Sequence, residues 1–100
     1  MPELTSKQRA HLRSLANRLK PMVHVGAEGV TDSILVTVEE SFANRELIKV
    51  KILESAPHDA RFIADHIAAS LEDVHVAQTI GRTVVLYRPH PKKPEIRLPR

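Results

Sequence analysis

Leu12, Leu15, Ala16 and Leu19 recur at helical spacing, so the segment that starts near residue 6 has one apolar side. Thr5 and Gln8 form a T-x-x-Q capping box in front of it. Pro21 ends it, because a residue before proline is pushed out of the α region, and the pattern predicts a helix over 6–18. Residues 22–25 form a short apolar run that suits a buried strand, which Gly26-Ala27-Glu28-Gly29 breaks. Over 33–44 the signals divide. Ile34, Val36, Thr37 and Val38 are β-branched and favour a strand, while the spacing of Ile34, Leu35, Val38 and Phe42, with a cap at Thr31 or Asp32, favours a helix. A helix is expected.

Residues 46–53 alternate, with Ile48, Val50 and Ile52 on one side and Leu47, Lys49 and Lys51 on the other, which predicts a strand with one buried and one partly wet face. A break at 55–57 follows, with Pro57 suited to a first helical turn. The next helix runs to about Leu71, with Phe62, Ile63, His66, Ile67 and Leu71 on its inner stripe. Residues 74–80 and 83–88 read as strands around Gly81-Arg82, a glycine-first hairpin loop of the II′ kind. The order is α-β-α-β-α-β-β. A crossover helix makes neighbouring strands parallel and the final hairpin makes the sheet mixed. The expected class is α/β, of the two-layer α+β type: a four-stranded mixed sheet with helices covering one face. One domain is expected over 1–88, followed at 89–100 by a basic, proline-rich tail with no core of its own.

Composition narrows the function classes. An apolar share of 42% in 100 residues is enough for a single core, and the absence of Cys excludes disulfides, thiolate zinc sites and cysteine nucleophiles. No apolar run is long enough to span a membrane and no leader precedes the fold, so a soluble, cytoplasmic protein is expected. The net charge of +3 hides an asymmetry. Residues 1–25 carry net +4, residues 26–75 net −6 and residues 76–100 net +5. Two basic ends around an acidic middle suit an anionic partner, provided folding brings the ends together.

Catalytic patterns are missing. There is no G-x-S-x-G elbow and no G-x-x-x-x-G-K-[ST] loop. The adjacent carboxylates Glu39/Glu40 and Glu72/Asp73 do not face each other and read as solvated surface. The six histidines (11, 24, 58, 66, 75 and 90) share no metal-binding spacing on one helix, and His66 reads as a core histidine on an apolar stripe. No catalytic residue, metal or cofactor is expected.

Gly26-Ala27-Glu28-Gly29 lies between a predicted strand and a predicted helix. Two glycines there allow a tight turn and the close approach of a ligand to the backbone, and free N–H groups at the following helix start suit a phosphate. This is the mechanical logic of the KH-type loop that clamps a nucleic-acid backbone. Arg9 and Arg13 lie within about 40° of each other on the first helix. Lys20 falls at the strand entrance, Lys49 and Lys51 share the wet face of the second strand, Arg82 is in the hairpin and Arg88 closes the last strand. Charges spread this way suit phosphate contact more than base reading. Phe42 and Phe62 are assigned to helix cores and Tyr87 to packing, so stacking of bases on an aromatic sheet face is not expected.

Five blocks in order carry a family resemblance: SKQRAHLRSLA (6–16), LKPMVHVG (19–26), the G-x-x-G at 26–29 with Val30-Thr31, ELIKVKI (46–52) and QTIGRTVVLYRP (78–89). The chain resembles the YhbY-like, CRM-domain family of small RNA-binding proteins. The resemblance implies a fold similar to the C-terminal domain of a bacterial translation initiation factor. It also implies a role like that of the stand-alone bacterial members, which bind ribosomal RNA of the precursor large subunit during assembly. It maps the loop onto Gly26, Ala27, Glu28 and Gly29, and the basic surface onto Lys7, Arg9, Arg13, Lys20, Lys49, Lys51, Arg82 and Arg88. Ala27-Glu28 departs from the basic or neutral polar loop residues of many relatives, which shifts weight to the flanking cations. The expectation is a monomeric, non-catalytic RNA-binding protein, with ribosomal proteins as further partners. A β-branched residue at Gly29 is expected to impair binding and spare the fold. The rivals are a protein-interaction module docking on ribosomal proteins and a small acylphosphatase-like hydrolase. The hydrolase wants an opening strand before its phosphate cradle, where this chain has a helix.

Overall fold

Thr5 and Gln8 cap each other in the computed structural model, which describes residues 3–100. Thr5 Oγ1 accepts from the Gln8 N–H at 3.1 Å and Gln8 Oε1 accepts from the Thr5 N–H at 3.0 Å. This box starts helix α1 (Ser6–Ala16). Strand β1 (Val23–Val25), helix α2 (Asp32–Ser41), strand β2 (Leu47–Ile52), helix α3 (Ala60–Ser70), strand β3 (His75–Ile80) and strand β4 (Thr83–Tyr87) follow in the predicted order. In α2 the cap decides the divided propensity: Thr31 Oγ1 accepts from the Ile34 N–H at 3.1 Å. Val38 is fully buried, and this burial outweighs the small helix cost of β-branching.

The sheet order is β1-β2-β4-β3, with β1 and β2 parallel and β4 antiparallel to both of its neighbours. Gly81 sits at φ +56 and Arg82 is not at positive φ, as a II′ hairpin requires. Ile48, Val50, Ile52, Val84 and Leu86 point to one face, where α2 and α3 cover them. Leu47, Val85 and Tyr87 point to the other, where Leu12 and Ala16 of α1 cover them. The expectation of helices on one face therefore holds for α2 and α3 and not for α1. The physical reason is β4: its run VVLY is buried at every position, and a strand apolar on both sides needs two covering layers. Each aliphatic side chain buried there contributes roughly 1.5–3 kcal/mol.

Helix α3 turns further than its sequence stripe suggests. Ala60, Ile63, Ala64 and Ile67 are buried, whereas Phe62 is 50% exposed and His66 faces outward. Asp59 is the cap, accepting from the Phe62 N–H at 2.8 Å. Pro57 lies ahead of the helix and packs on the glycine loop instead of forming the first turn. A bulge between Val76 and Gln78 bends β3.

The proline-rich segment borrows a core from the domain. Ile96 and Leu98 pack against the cluster formed by Leu4, Leu12, Leu47 and Tyr87. Glu46, 7% exposed, holds the segment with three charged hydrogen bonds. Its Oε2 accepts from the His90 N–H, and its Oε1 accepts from those of Glu95 and Ile96, each at 2.7 Å. Tyr87 lies beside this site. Burial pushes its phenol above the usual value of 10.0, and the charges of Glu46 and Asp73 push the same way. The neutral ring is thus favoured in the fold, and above pH 10.0 the unfolded chain releases this proton first. Stability is expected to fall as pH rises from the ordinary tyrosine value through the raised one. Denaturant midpoints of wild type and Tyr87→Phe between pH 9 and 11 check it, since the phenylalanine variant lacks this component.

Candidate functional site

The Gly26–Gly29 segment is a turn closed by the Gly29 N–H donating to the Gly26 carbonyl at 2.9 Å. Neither Ala27 nor Glu28 has positive φ, and both are exposed. The two glycines have different causes. Gly29 is buried at φ +69, and a Cβ there would lie 3.1 Å from Pro57 Cγ, so the fold itself demands glycine. Gly26 is not in the left-handed region, and its Cβ would meet Leu53 Cδ1 at 3.6 Å and Ser55 Oγ at 3.7 Å, ordinary contacts. Nothing inside the chain requires glycine at 26. Among the described residues the N–H groups of Ala27 and Glu28 make no hydrogen bond. A shallow cleft of about 300 Å³ lies against the loop and the first turn of α2. Glu28, in its lining, gives the cleft a negative charge.

Strand geometry places the loop beside the β3–β4 hairpin. The Leu53 N–H donates to the Val25 carbonyl at 2.8 Å and the Ile52 N–H to the Arg82 carbonyl at 2.7 Å, so loop, hairpin and the end of β2 share one end of the sheet. On the α1 side of that end, Lys51 pairs across to Thr83 and His24, and Lys49 pairs across to Val85, whose other neighbour is Gln78. A cleft of about 230 Å³ is lined by Arg13 and Asn17 from the helix and by Lys49, Gln78, Ile80 and Thr83 from the sheet. Arg9 and Arg13 line a second cleft of about 250 Å³ against Gln78. Among the described residues, Arg9, Arg13, Lys49, Lys51 and Arg82 form no ion pair. Lys51 and Arg82 stand at the loop's end of the sheet, Arg13 and Lys49 lie on the α1 face that leads to it, and Arg9 lies on the same face toward the β3 edge.

The other three basic positions lie elsewhere. Lys7 is on the opposite flank of α1, its Nζ 3.4 Å from the Arg100 carbonyl, and the neighbouring Gln8 side chain donates to the Pro99 carbonyl. Lys20 is exposed two residues before Met22, whose N–H donates to the Lys49 carbonyl, so it stands at the start of β1. Arg88 is at the far end of β4 and its guanidinium is fully engaged. It donates twice to the Glu72 carbonyl (3.0 and 2.8 Å), pairs with Glu39 at 2.9 Å and lies 5.5 Å above the Phe42 ring. Its charge ties α2 and the α3–β3 link to the sheet and is committed to these partners instead of a ligand.

Sequence reasoning missed Asn17, Gln78 and Ile80 in the cationic cleft. Gln78 Oε1 is buried with no hydrogen-bond partner. The bulge hid it: strict alternation puts Gln78 on the α2–α3 face with Val76, whereas the shifted register turns it toward α1. Among the described residues no group of three or more potential ligands could hold a metal ion, and no helix is long and apolar enough to cross a membrane.

Known proteins are similar to this chain. The "Probable RNA-binding protein YqeI" of Bacillus subtilis is 38% identical over 96 residues, covering 96% of this chain and 99% of its own. A Haemophilus influenzae protein named "RNA-binding protein" is 37% identical over 100 residues, covering 100% of this chain and 99% of its own. The solution structure of SAV1595 from Staphylococcus aureus superposes with a TM-score of 0.80 at 33% identity, over 96% of this chain and 99% of that one. The CRS1 / YhbY (CRM) domain model matches residues 4–88, from the residue before the Thr5 cap to Arg88 at the end of the sheet. With helix, glycine loop, sheet and hairpin all inside that match, the chain belongs to the CRS1/YhbY (CRM) domain family.

Proposed function

We propose that this chain is a non-catalytic RNA-binding domain that grips the phosphate backbone of structured RNA, with ribosomal RNA of the precursor large subunit as its target. The observation that carries the reading is a group of five cations that form no ion pair among the described residues, spread over the α1 face toward a loop whose first glycine the fold does not need. The RNA-binding names of the relatives support it. In this mechanism Arg9, Arg13, Lys49, Lys51 and Arg82 each neutralise phosphates, and the Ala27 and Glu28 N–H groups add short-range contacts where the strand passes Gly26. Glu28 keeps the loop from attracting polyanions by charge, so the cationic face supplies most of the affinity and the loop supplies position. Action in the cytoplasm, as a monomer, belongs to the same proposal.

Filter binding to naked ribosomal RNA across a salt series tests it. The triple variant Arg13→Ala/Lys49→Ala/Lys51→Ala is expected to bind more weakly at every salt concentration. It should also lower the slope of log affinity against log salt by roughly 2–3, because about one counterion is released per neutralised phosphate. An unchanged slope removes the cationic face from the footprint. A second reading has its own observation: the open edge of β3 borders a groove of about 440 Å³ between α1 and α3. Retention on ribosomal proteins without any retention of naked RNA would favour that docking edge.

A further inference from the structure

The outward side of α3 carries three rings in a row. His58 and Phe62 stack with centroids 4.0 Å apart at 32°, and His66 meets Phe62 edge-on with centroids 6.3 Å apart at 85°. All three residues are exposed. The ladder does not close the core, since the buried residue one position on, Ile63, does that. Its place is also fixed. Asp59 Oδ1 accepts the Phe62 N–H, which pins Phe62 in the first turn. Pro57, the residue before His58, packs against Gly29, so the chain enters the ladder from beside the glycine loop.

We propose that the His58–Phe62–His66 ladder is a stacking platform for unpaired RNA bases whose phosphates lie on the glycine loop. The inference rests on the RNA-binding reading above and adds to it a class of target: a strand with at least one unstacked base, next to the structured part held by the cationic face. Flat rings accept a base face whatever the sequence, because every base has a π-face. A backbone passing Gly26 and crossing the Gly29–Pro57 contact would bring its next base over His58. The surface suits a base better than a protein side. Its neighbours Arg61 and Asp65 are highly exposed and pair with each other at 4.0 Å. Phe62 is the one exposed large hydrophobic residue on α3.

The test uses the full chain with a single-stranded RNA carrying 2-aminopurine, and a blunt duplex of the same length. Wild type, Phe62→Ala, Phe62→Leu, His58→Ala and the triple cation variant are compared, each checked by thermal melting. With wild type, binding should quench the 2-aminopurine. Phe62→Ala and Phe62→Leu should both bind the single strand about tenfold more weakly and lose the quench. Their duplex affinity and salt slope should match wild type, and His58→Ala should show a smaller loss of the same kind. The proposal is overturned if the single-strand affinity of Phe62→Ala equals that of wild type, or if duplex binding falls equally. It is also overturned if leucine restores binding, which would indicate an apolar docking site for protein. In those cases weakened binding by the triple cation variant would leave the RNA-binding reading standing. Absence of any binding by wild type would end both.

Discussion

Glu46→Ala is expected to lower the melting temperature by roughly 15 °C and to set residues 89–100 free. The carboxylate is buried and accepts three backbone N–H groups at 2.7 Å, from residues 44, 49 and 50 positions further along the chain. Hydrogen bonds to a charged acceptor are stronger than neutral ones, and removing the acceptor leaves three part-buried donors without partners; together these cost about 3 kcal/mol. Glu46→Gln should cost about half as much. It keeps an oxygen for Glu95 and Ile96 and turns an amide N–H toward the His90 N–H, donor against donor. Amide exchange at Glu95 and Ile96 reads the release directly, since both should lose protection. Deleting residues 90–100 in the alanine background should add little, because the two changes remove the same contacts. Unchanged melting and protected amides in Glu46→Ala would show that the apolar packing of Ile96 and Leu98 holds the segment alone.

The two glycines of the loop should separate fold from function. Gly29→Val is expected to destabilise the domain by about 2–4 kcal/mol, because a β-branched residue is strained at φ +69 and its Cβ would press on Pro57. Gly26→Val should melt within a few degrees of wild type, roughly the scatter of surface substitutions, and lose RNA affinity. This reverses the expectation from sequence, in which Gly29 serves the ligand and spares the fold. Melting curves and filter binding on the two variants decide it. Full affinity in Gly26→Val would mean that no ligand approaches that backbone closely.

Much of the fold was legible because its signals are local. The Thr5–Gln8 box, the Thr31 cap, the alternation through Ile48, Val50 and Ile52 and the Gly81-Arg82 turn each state their own geometry within a few residues. What escaped depends on distant partners. Phe62 and His66 look like members of an apolar stripe, yet the rotation of α3 is set by Asp59 and by the small residues Ala60 and Ala64 that meet the sheet. The second covering layer was present in the VVLY run of β4, whose unbroken apolarity calls for burial on both sides. Arg88 could not be distinguished from a ligand-binding cation without knowing that Glu39, Phe42 and the Glu72 carbonyl converge on it. Glu46 was read only as the start of an alternating strand, and its role requires a segment half the chain away.

The outer strands of the sheet also bear on how the protein behaves when crowded. β1 offers three residues on its free side, and β3 is bent where Gln78 follows the displaced Ala77. Neither rim presents the long, flat row of amide and carbonyl groups on which another molecule could template a new strand. The architecture therefore guards against growth by edge-to-edge addition and fibril seeding, while the cationic surface beside α1 stays available for recognition.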